Sequence, residues 1–129
     1  MTVKKAVTTD KAPAAIGPYS QAIRAGDFLF LSGQLPVKPD TGEFAGQDIA
    51  AQTRQALQNV RSILESVGLS LANVVKTTVF LKDMNLFGEM NAAYKEYFPS
   101  EPPARSCVEV ARLPKDALVE IESVAVFRE

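Results

Sequence analysis

Residues 74–98, VVKTTVFLKDMNLFGEMNAAYKEYF, change their hydrophobic pattern midway and thereby decide the fold class. The first part, Val74 to Leu81, is rich in β-branched residues and predicts a strand. The second part carries a stripe at spacings of three and four residues, which predicts a helix that ends before Pro99. The members of this stripe are Met84, Phe87, Asn91, Tyr94 and Phe98.

The flanking segments extend this alternation of strands and helices. Residues 20–34, SQAIRAGDFLFLSGQ, predict a hairpin that turns at Gly26-Asp27. Apolar residues at helical spacing predict a helix from the N-cap Asp48 to Gly68. Two further strands are predicted at about 104–110 and 118–127. This order indicates an α+β fold, a mixed sheet with both helices on one face. Without repeats or linkers, residues 1–129 are expected to form a single domain.

Composition narrows the classes of function. Fourteen basic and fifteen acidic residues give a net charge of -1, which argues against nucleic acid as a partner. No apolar run approaches the roughly 20 residues that span a bilayer, and the first 15 residues lack the pattern of a signal or transit peptide. We therefore expect a cytoplasmic protein with no membrane partner. With one cysteine and no histidine, the common zinc and iron ligand sets are missing, and no metal site is expected.

The last two predicted strands carry charge on one side. If they form a hairpin with Glu109 opposite Glu120, then Arg105, Cys107 and Glu109 lie on the same sheet face as Glu120 and Glu122. The other side of the last strand is apolar around Ser123, which suits packing under the helices. Val74 and Phe80 are expected to add apolar surface to the charged face. A mixed face that no helix covers predicts a subunit interface and a homo-oligomer.

Arg105 and Glu120 each have two interpretations, one structural and one functional. Arg105 forms either an ion pair with Glu120 or Glu122, or a guanidinium fork for a substrate carboxylate. Glu120 is either a partner of an arginine, or a partly buried carboxylate with a raised pKa that holds or deprotonates water. Asn91 is the odd amide of an apolar stripe, and a bond to a neighbouring loop would satisfy it. Cys107 is more typical of a small core residue than of a nucleophile, since no histidine can activate it.

Tyr19 and Ser32-Gly33 also have ordinary structural explanations. Tyr19 follows Gly17-Pro18, and its ring would cap the core, whereas Ser32-Gly33 would mark the end of a strand. From the residues alone, the chain is an oligomeric α+β protein with an anion pocket around Arg105.

Several segments resemble, in order and spacing, the RidA family, also called YjgF, of reactive intermediate deaminases. The most specific is PPARSCVEVARLP, residues 102–114, followed by VEIESVAV, residues 119–126. The others, with residues 74–98, are APAAIGPYSQAI (12–23), LFLSGQLPV (29–37) and QTRQALQNVRSILESVG (52–68). The resemblance covers essentially the whole chain.

This resemblance implies a fold similar to that of the small trimeric chorismate mutases. Three subunits would pack their sheets together and form three clefts between neighbours. The implied activity is cofactor-free hydrolysis of 2-imino acids, or their enamine tautomers, to 2-keto acids and ammonia. Such intermediates leave pyridoxal-phosphate enzymes such as serine and threonine dehydratases and damage other enzymes.

The resemblance also assigns roles to residues of this sequence. Arg105 would bind the substrate carboxylate, and its presence implies the active deaminase branch. Glu120 and the backbone carbonyl of Cys107 would position a water against the imine carbon. The rest of the implied pocket consists of Tyr19, Ser32, Gly33, Phe87 and Asn91.

Three alternative functions are kept. An endoribonuclease or translation inhibitor is a poor electrostatic fit, because the charge is balanced and histidine is absent. A chaperone-like holdase is a second class that the sequence does not exclude. A sensor for 2-keto acids is the third, and it would need Arg105 but no water-positioning Glu120.

Overall fold

A computed structural model describes residues 3–127, which form six strands and two α-helices. The strands are β1 (Lys4–Val7), β2 (Ala22–Ala25), β3 (Phe28–Gln34), β4 (Val74–Leu81), β5 (Ala104–Glu109) and β6 (Val119–Val126). The helices are α1 (Ile49–Ser66) and α2 (Phe87–Tyr97). The strands make one sheet in the order β1-β2-β3-β6-β4-β5, in which only β5 joins its neighbour β4 in parallel. The predicted α+β class with a mixed sheet is confirmed.

Local signals in the sequence set most element boundaries. The side chain of Asp48 accepts a 2.7 Å hydrogen bond from the Ala51 amide and caps α1. Gly68, just beyond α1, has a φ of +80°, a conformation that glycine adopts without strain. Gly26 has a φ of +62° in the turn between β2 and β3. The predicted hairpin, first helix and β4 are confirmed, and the last two strands end within one residue of their predicted bounds.

One core lies between the helices and one face of the sheet. Its fully buried large side chains include Leu29, Leu57, Val60, Ile63, Leu64, Val79, Leu81, Met90, Val119 and Ile121. The predicted stripe of the second helix needs one correction, because Met84 is 38% exposed and Met90 takes the buried position. A 3₁₀ turn at Met84–Leu86 precedes α2, and its three-residue repeat shifts the phase of the stripe.

The last two strands do not form a hairpin, so the predicted pairing of Glu109 with Glu120 is wrong. Strand β4 lies between β5 and β6, and places Leu81 beside Glu109 and Phe80 beside Glu120. Helix α2 carries the chain back along the sheet, so that β5 starts parallel to β4 and takes its outer edge. Strand β6 then occupies the remaining place between β3 and β4.

This register puts Arg105 and Glu120 on opposite faces of the sheet. Arg105 pairs with the buried Thr77 and therefore faces the helices, whereas Glu120 pairs with Phe80 on the other face. The expectation that Arg105, Cys107 and Glu109 share a face with the glutamates is wrong. Val74 also differs from prediction, because an irregularity between Val74 and Lys76 turns it toward the core, where it is 6% exposed.

The sheet face away from the helices, here called the open face, mixes apolar and charged side chains. It carries Phe28, Phe30 and Val108, which are 46%, 48% and 42% exposed, together with Lys76, Thr78, Phe80, Glu120, Glu122 and Val124. A pocket of about 180 Å³ opens on it, lined by residues of β3, β6 and β4. Within residues 3–127, no helix covers this face. Neither helix there is long and apolar enough to cross a membrane.

Candidate active site

Arg105 lies near the start of β5, half-buried beneath α2. Its Nη1 donates a 2.7 Å hydrogen bond to Oδ1 of Asn91. Its guanidinium carbon is 4.8 Å from the ring centre of Tyr94 and 5.5 Å from that of Phe87. These four residues are here called the arginine cluster.

The arginine cluster follows from helix geometry. Phe87, Asn91 and Tyr94 are spaced by four and three residues, so they lie on one face of α2, above the edge strand that carries Arg105. Pro102-Pro103 lead directly into that strand. The chain thus assembles a cation with two aromatic faces and one neutral hydrogen-bond acceptor.

Within residues 3–127, Arg105 forms no ion pair. Glu120 and Glu122, its predicted acidic partners, extend from the opposite sheet face. The ion-pair interpretation of Arg105 is therefore wrong for this chain. A half-buried guanidinium whose one side-chain acceptor among the described residues is a neutral amide keeps the capacity to bind an anion, and a carboxylate matches its fork.

Cys107 lies two residues beyond Arg105 on the same side of β5, packed against the core. Burial raises the pKa of its thiol, and the nearby positive charge of Arg105 opposes this more weakly. A neutral thiol is a poor nucleophile. The side chain therefore behaves as the small core residue that the sequence predicted.

A second group, here called the carboxylate cluster, consists of Glu120, Ser32 and Gly33. The pairing of β3 with β6 is interrupted between Leu31 and Gln34, so Ser32 and Gly33 separate from β6. A Cβ on Gly33 would stand 2.9 Å from Cδ and 3.1 Å from Cγ of Glu120. Only glycine allows this close approach of the backbone to the carboxylate.

Glu120 is half-buried on the open face. Burial raises the pKa of its carboxyl, and the negative charge of Glu122 raises it further. The structure gives the Glu120 carboxylate no hydrogen bond or ion pair within residues 3–127. An unpaired carboxylate with a raised pKa is a stronger base than an ordinary glutamate and is suited to accept a proton.

Tyr19 is 53% exposed, so its ring does not cap the core. Its amide donates a 2.9 Å hydrogen bond to the Gly17 carbonyl. The next residue, Ser20, accepts a 2.6 Å hydrogen bond from the Ser32 hydroxyl through its carbonyl. Tyr19 is thereby held beside the carboxylate cluster with its ring free for contact.

The two clusters do not meet within one chain. Arg105 lies at the β5 edge on the helix side, and Glu120 lies two strands away on the open face. Tyr94 was not predicted as a neighbour of Arg105. Its three-residue spacing from Asn91 indicates a shared helix face, but not which strand that face meets. No group of three potential metal-ligating residues occurs in the part of the chain described.

Comparisons with known proteins agree over nearly the whole chain. The sequence profile of the family described as endoribonuclease L-PSP matches residues 9–127. The chain is 57% identical over 123 residues to a RutC family protein of Pyrococcus horikoshii, covering 95% of this chain and 98% of that protein. It is 53% identical over 129 residues to the 2-iminobutanoate/2-iminopropanoate deaminase of Escherichia coli, covering 98% of this chain and 100% of that protein. The crystal structure of E. coli TdcF with bound serine matches with a TM-score of 0.92 and 47% identity, covering 97% of this chain and 99% of the TdcF chain.

Proposed function

Since this chain belongs to the endoribonuclease L-PSP family, which is the RidA or YjgF family, we propose that it hydrolyses 2-imino acids and their enamine tautomers to 2-keto acids and ammonia. The E. coli relative, 53% identical over its full length, carries the name of that activity. The observation that supports the proposal most directly is the half-buried Arg105 without an acidic partner within residues 3–127. That guanidinium is built to receive a carboxylate.

Substrate binding starts from this cation. The Arg105 guanidinium binds the carboxylate of the imino acid, while Asn91 holds its Nη1 atom from the other side. Phe87 and Tyr19 form apolar walls that admit a short side chain. The E. coli TdcF structure contains serine, which also presents a carboxylate next to a short side chain.

Hydrolysis then needs one positioned water. Glu120 and the backbone carbonyl of Cys107 orient the water against the carbon of the protonated C=N bond, and Glu120 takes a proton as the C–O bond forms. Glu120 returns that proton to the nitrogen of the carbinolamine. As the C–N bond breaks, the hydroxyl proton passes to Glu120, the carbonyl of the keto acid forms, and ammonia leaves and takes up the proton from Glu120 to become ammonium. Ser32 and the Gly33 backbone line this side of the pocket. Orientation of the water and stabilisation of the charge supply the rate.

A homotrimer would bring the two clusters together. In a cleft between neighbouring subunits, the arginine cluster of one copy faces the carboxylate cluster of the next. The half-exposed Phe28, Phe30 and Val108 of the open face support such packing, since an apolar surface of this kind is usually covered. We place the protein in the cytoplasm as a single domain of residues 1–129. It would act there on intermediates from threonine and serine dehydratases, the former in isoleucine biosynthesis.

The test couples a threonine dehydratase to this protein in semicarbazide buffer. Semicarbazide traps the free imine, so a protein that hydrolyses the imine slows semicarbazone formation and raises free 2-ketobutyrate. We expect Arg105→Ala to lower kcat/KM by about 100-fold, because the charge-assisted contacts to the carboxylate are lost. Arg112→Ala, which removes an exposed arginine from the same region, is the matched control. Equal 2-ketobutyrate release with and without wild-type protein would reject the deaminase and favour the sensor.

A further inference from the structure

We infer that Tyr94, held by Thr77, fixes the plane of the Arg105 guanidinium and is a positioning residue for the substrate carboxylate. The inference rests on the proposed function for the identity of its ligand. It assigns a role to a buried side chain that the sequence pattern places in the core.

The three residues come from three elements and meet at one point. Thr77 on β4 is the direct register partner of Arg105 on β5. Tyr94 on α2 reaches both of them. Its hydroxyl shares a 2.8 Å hydrogen bond with the Thr77 hydroxyl, and its ring centre is 4.8 Å from the guanidinium carbon of Arg105.

The hydroxyl pair fixes the position of the ring. Tyr94 is 5% exposed and Thr77 is 1% exposed, so neither hydroxyl can rely on bulk water. A buried hydroxyl without a partner is unfavourable, and each hydroxyl therefore holds the other in place. Burial raises the pKa of the Tyr94 phenol and is the largest of its influences. The phenol thus stays neutral and its hydrogen bond persists at physiological pH.

The ring in turn restricts the guanidinium. Within residues 3–127, the one hydrogen bond of the Arg105 guanidinium is the bond from Nη1 to Asn91, and a single bond leaves rotation about its own axis. The face of Tyr94 on one side, with Phe87 more distant at 5.5 Å, limits that rotation. A fork whose plane is set in advance binds a planar carboxylate at a lower entropic cost.

The alternative is that Tyr94 only fills the core, where its ring also lies 4.8 Å from that of Phe98. Three variants separate the two roles. Tyr94→Leu removes the ring, Tyr94→Phe keeps the ring without its hydroxyl, and Thr77→Val removes the hydroxyl partner. The matched control is Tyr97→Leu on the same helix, whose ring lies 4.9 Å from the guanidinium of Arg61.

Two quantities are measured on each purified, full-length variant whose circular dichroism matches wild type. One is KM and kcat for imine hydrolysis in the coupled assay, and the other is the dissociation constant of 2-ketobutyrate by calorimetry. We expect Tyr94→Leu to raise KM and the dissociation constant by about 10-fold, with kcat changed by less than about 3-fold. Tyr94→Phe and Thr77→Val should each give an increase of about 3-fold, and Tyr97→Leu none.

A folded Tyr94→Leu protein with wild-type KM and dissociation constant would overturn the inference. If Tyr94→Leu does not fold, the two hydroxyl variants decide. Similar increases of KM and of the dissociation constant in Tyr94→Phe and Thr77→Val, which do not add in the double variant, support the inference. Both substitutions remove the same shared hydrogen bond. Unchanged affinity in both overturns it.

Failure of the proposed function gives a different result. A wild-type protein that binds 2-ketobutyrate without hydrolysing imines refutes the deaminase, while the dissociation constants still test Tyr94. A wild-type protein that neither hydrolyses imines nor binds 2-ketobutyrate overturns both proposals.

Discussion

Arg105 and Glu120 are both half-buried charges on one sheet, but among residues 3–127 other side chains fix the position of Arg105 alone. Asn91 binds the guanidinium and two aromatic rings flank it. The Glu120 carboxylate lies against the backbone of Gly33, and the residues described give it no hydrogen bond or ion pair. One charge is oriented in advance, and the other keeps its oxygens free.

This difference matches two different tasks. A charge that is partly removed from water without an opposite partner destabilises the fold, so its retention calls for a function. An oriented cation suits the binding of a carboxylate, which must be held in one pose. A carboxylate with free oxygens and a raised pKa suits the exchange of protons with a water. Arg105 should therefore control affinity and Glu120 should control turnover.

The largest expected effect in the carboxylate cluster comes from Glu120→Gln. The amide keeps the shape of the side chain but cannot accept a proton, so we expect kcat to fall by about 100-fold with KM changed by less than about 3-fold. Steady-state kinetics of imine hydrolysis measure both constants. Glu122→Gln, on the same face two residues away, should keep kcat near wild type at neutral pH. If Glu120→Gln instead raised KM and left kcat unchanged, Glu120 would act on affinity as Arg105 does, and the two charges would not have different tasks.

An intermediate effect is expected from Phe30→Asp on the open face. Phe30 is 48% exposed, and a charge there should weaken the packing of the sheets of neighbouring copies. We expect sedimentation to show mostly monomer and the specific activity to fall about 10-fold, because only the remaining oligomer brings the two clusters together. Ala92→Asp, which adds the same charge at an exposed position of α2, should keep the oligomer. An oligomer of unchanged mass in Phe30→Asp would show that this face is not the contact.

Local patterns in the sequence were sufficient to predict individual elements. The β-branched run at Val74 to Leu81, the cap at Asp48 and the turn at Gly26 each act through neighbouring residues. The order of the strands depends on contacts distant in the sequence. The alternation of Arg105 and Ser106 shows that they face opposite ways, but not that β4 lies between β5 and β6.

The site shows the same limit. Residue chemistry was enough to select Arg105 and Glu120 as candidates, whereas the family resemblance added Asn91 to the pocket. The contact of Tyr94 with Arg105 was missed, because an aromatic residue at helical spacing is typical of a core and because this contact depends on the pairing of β4 with β5. The separation of Arg105 from Glu120 was also missed, since it follows from strand order.

The smallest expected effect is a shift in pH dependence. The pKa of Glu120 is raised mainly by burial and secondarily by the charge of Glu122. A base acts when deprotonated, so kcat/KM should fall as the pH drops through this raised pKa. Glu122→Gln removes the smaller cause, lowers the pKa of Glu120 and moves the acid limb to lower pH. Profiles of kcat/KM between about pH 4 and 8 measure this, with the exposed Glu65→Gln on α1 as control.

The same titration has a defined sign for stability. A carboxyl whose pKa is raised on folding binds its proton more tightly in the folded state, so its contribution to stability decreases as the pH rises through that window. Glu122→Gln should weaken this decrease, which urea unfolding at several pH values can measure.

If the acid limb of the kcat/KM profile stays in place in Glu122→Gln, or moves to higher pH, the group that limits turnover is not the Glu120 carboxylate. Proton transfer would then have to be assigned to a group other than Glu120, while Arg105 would still bind the carboxylate.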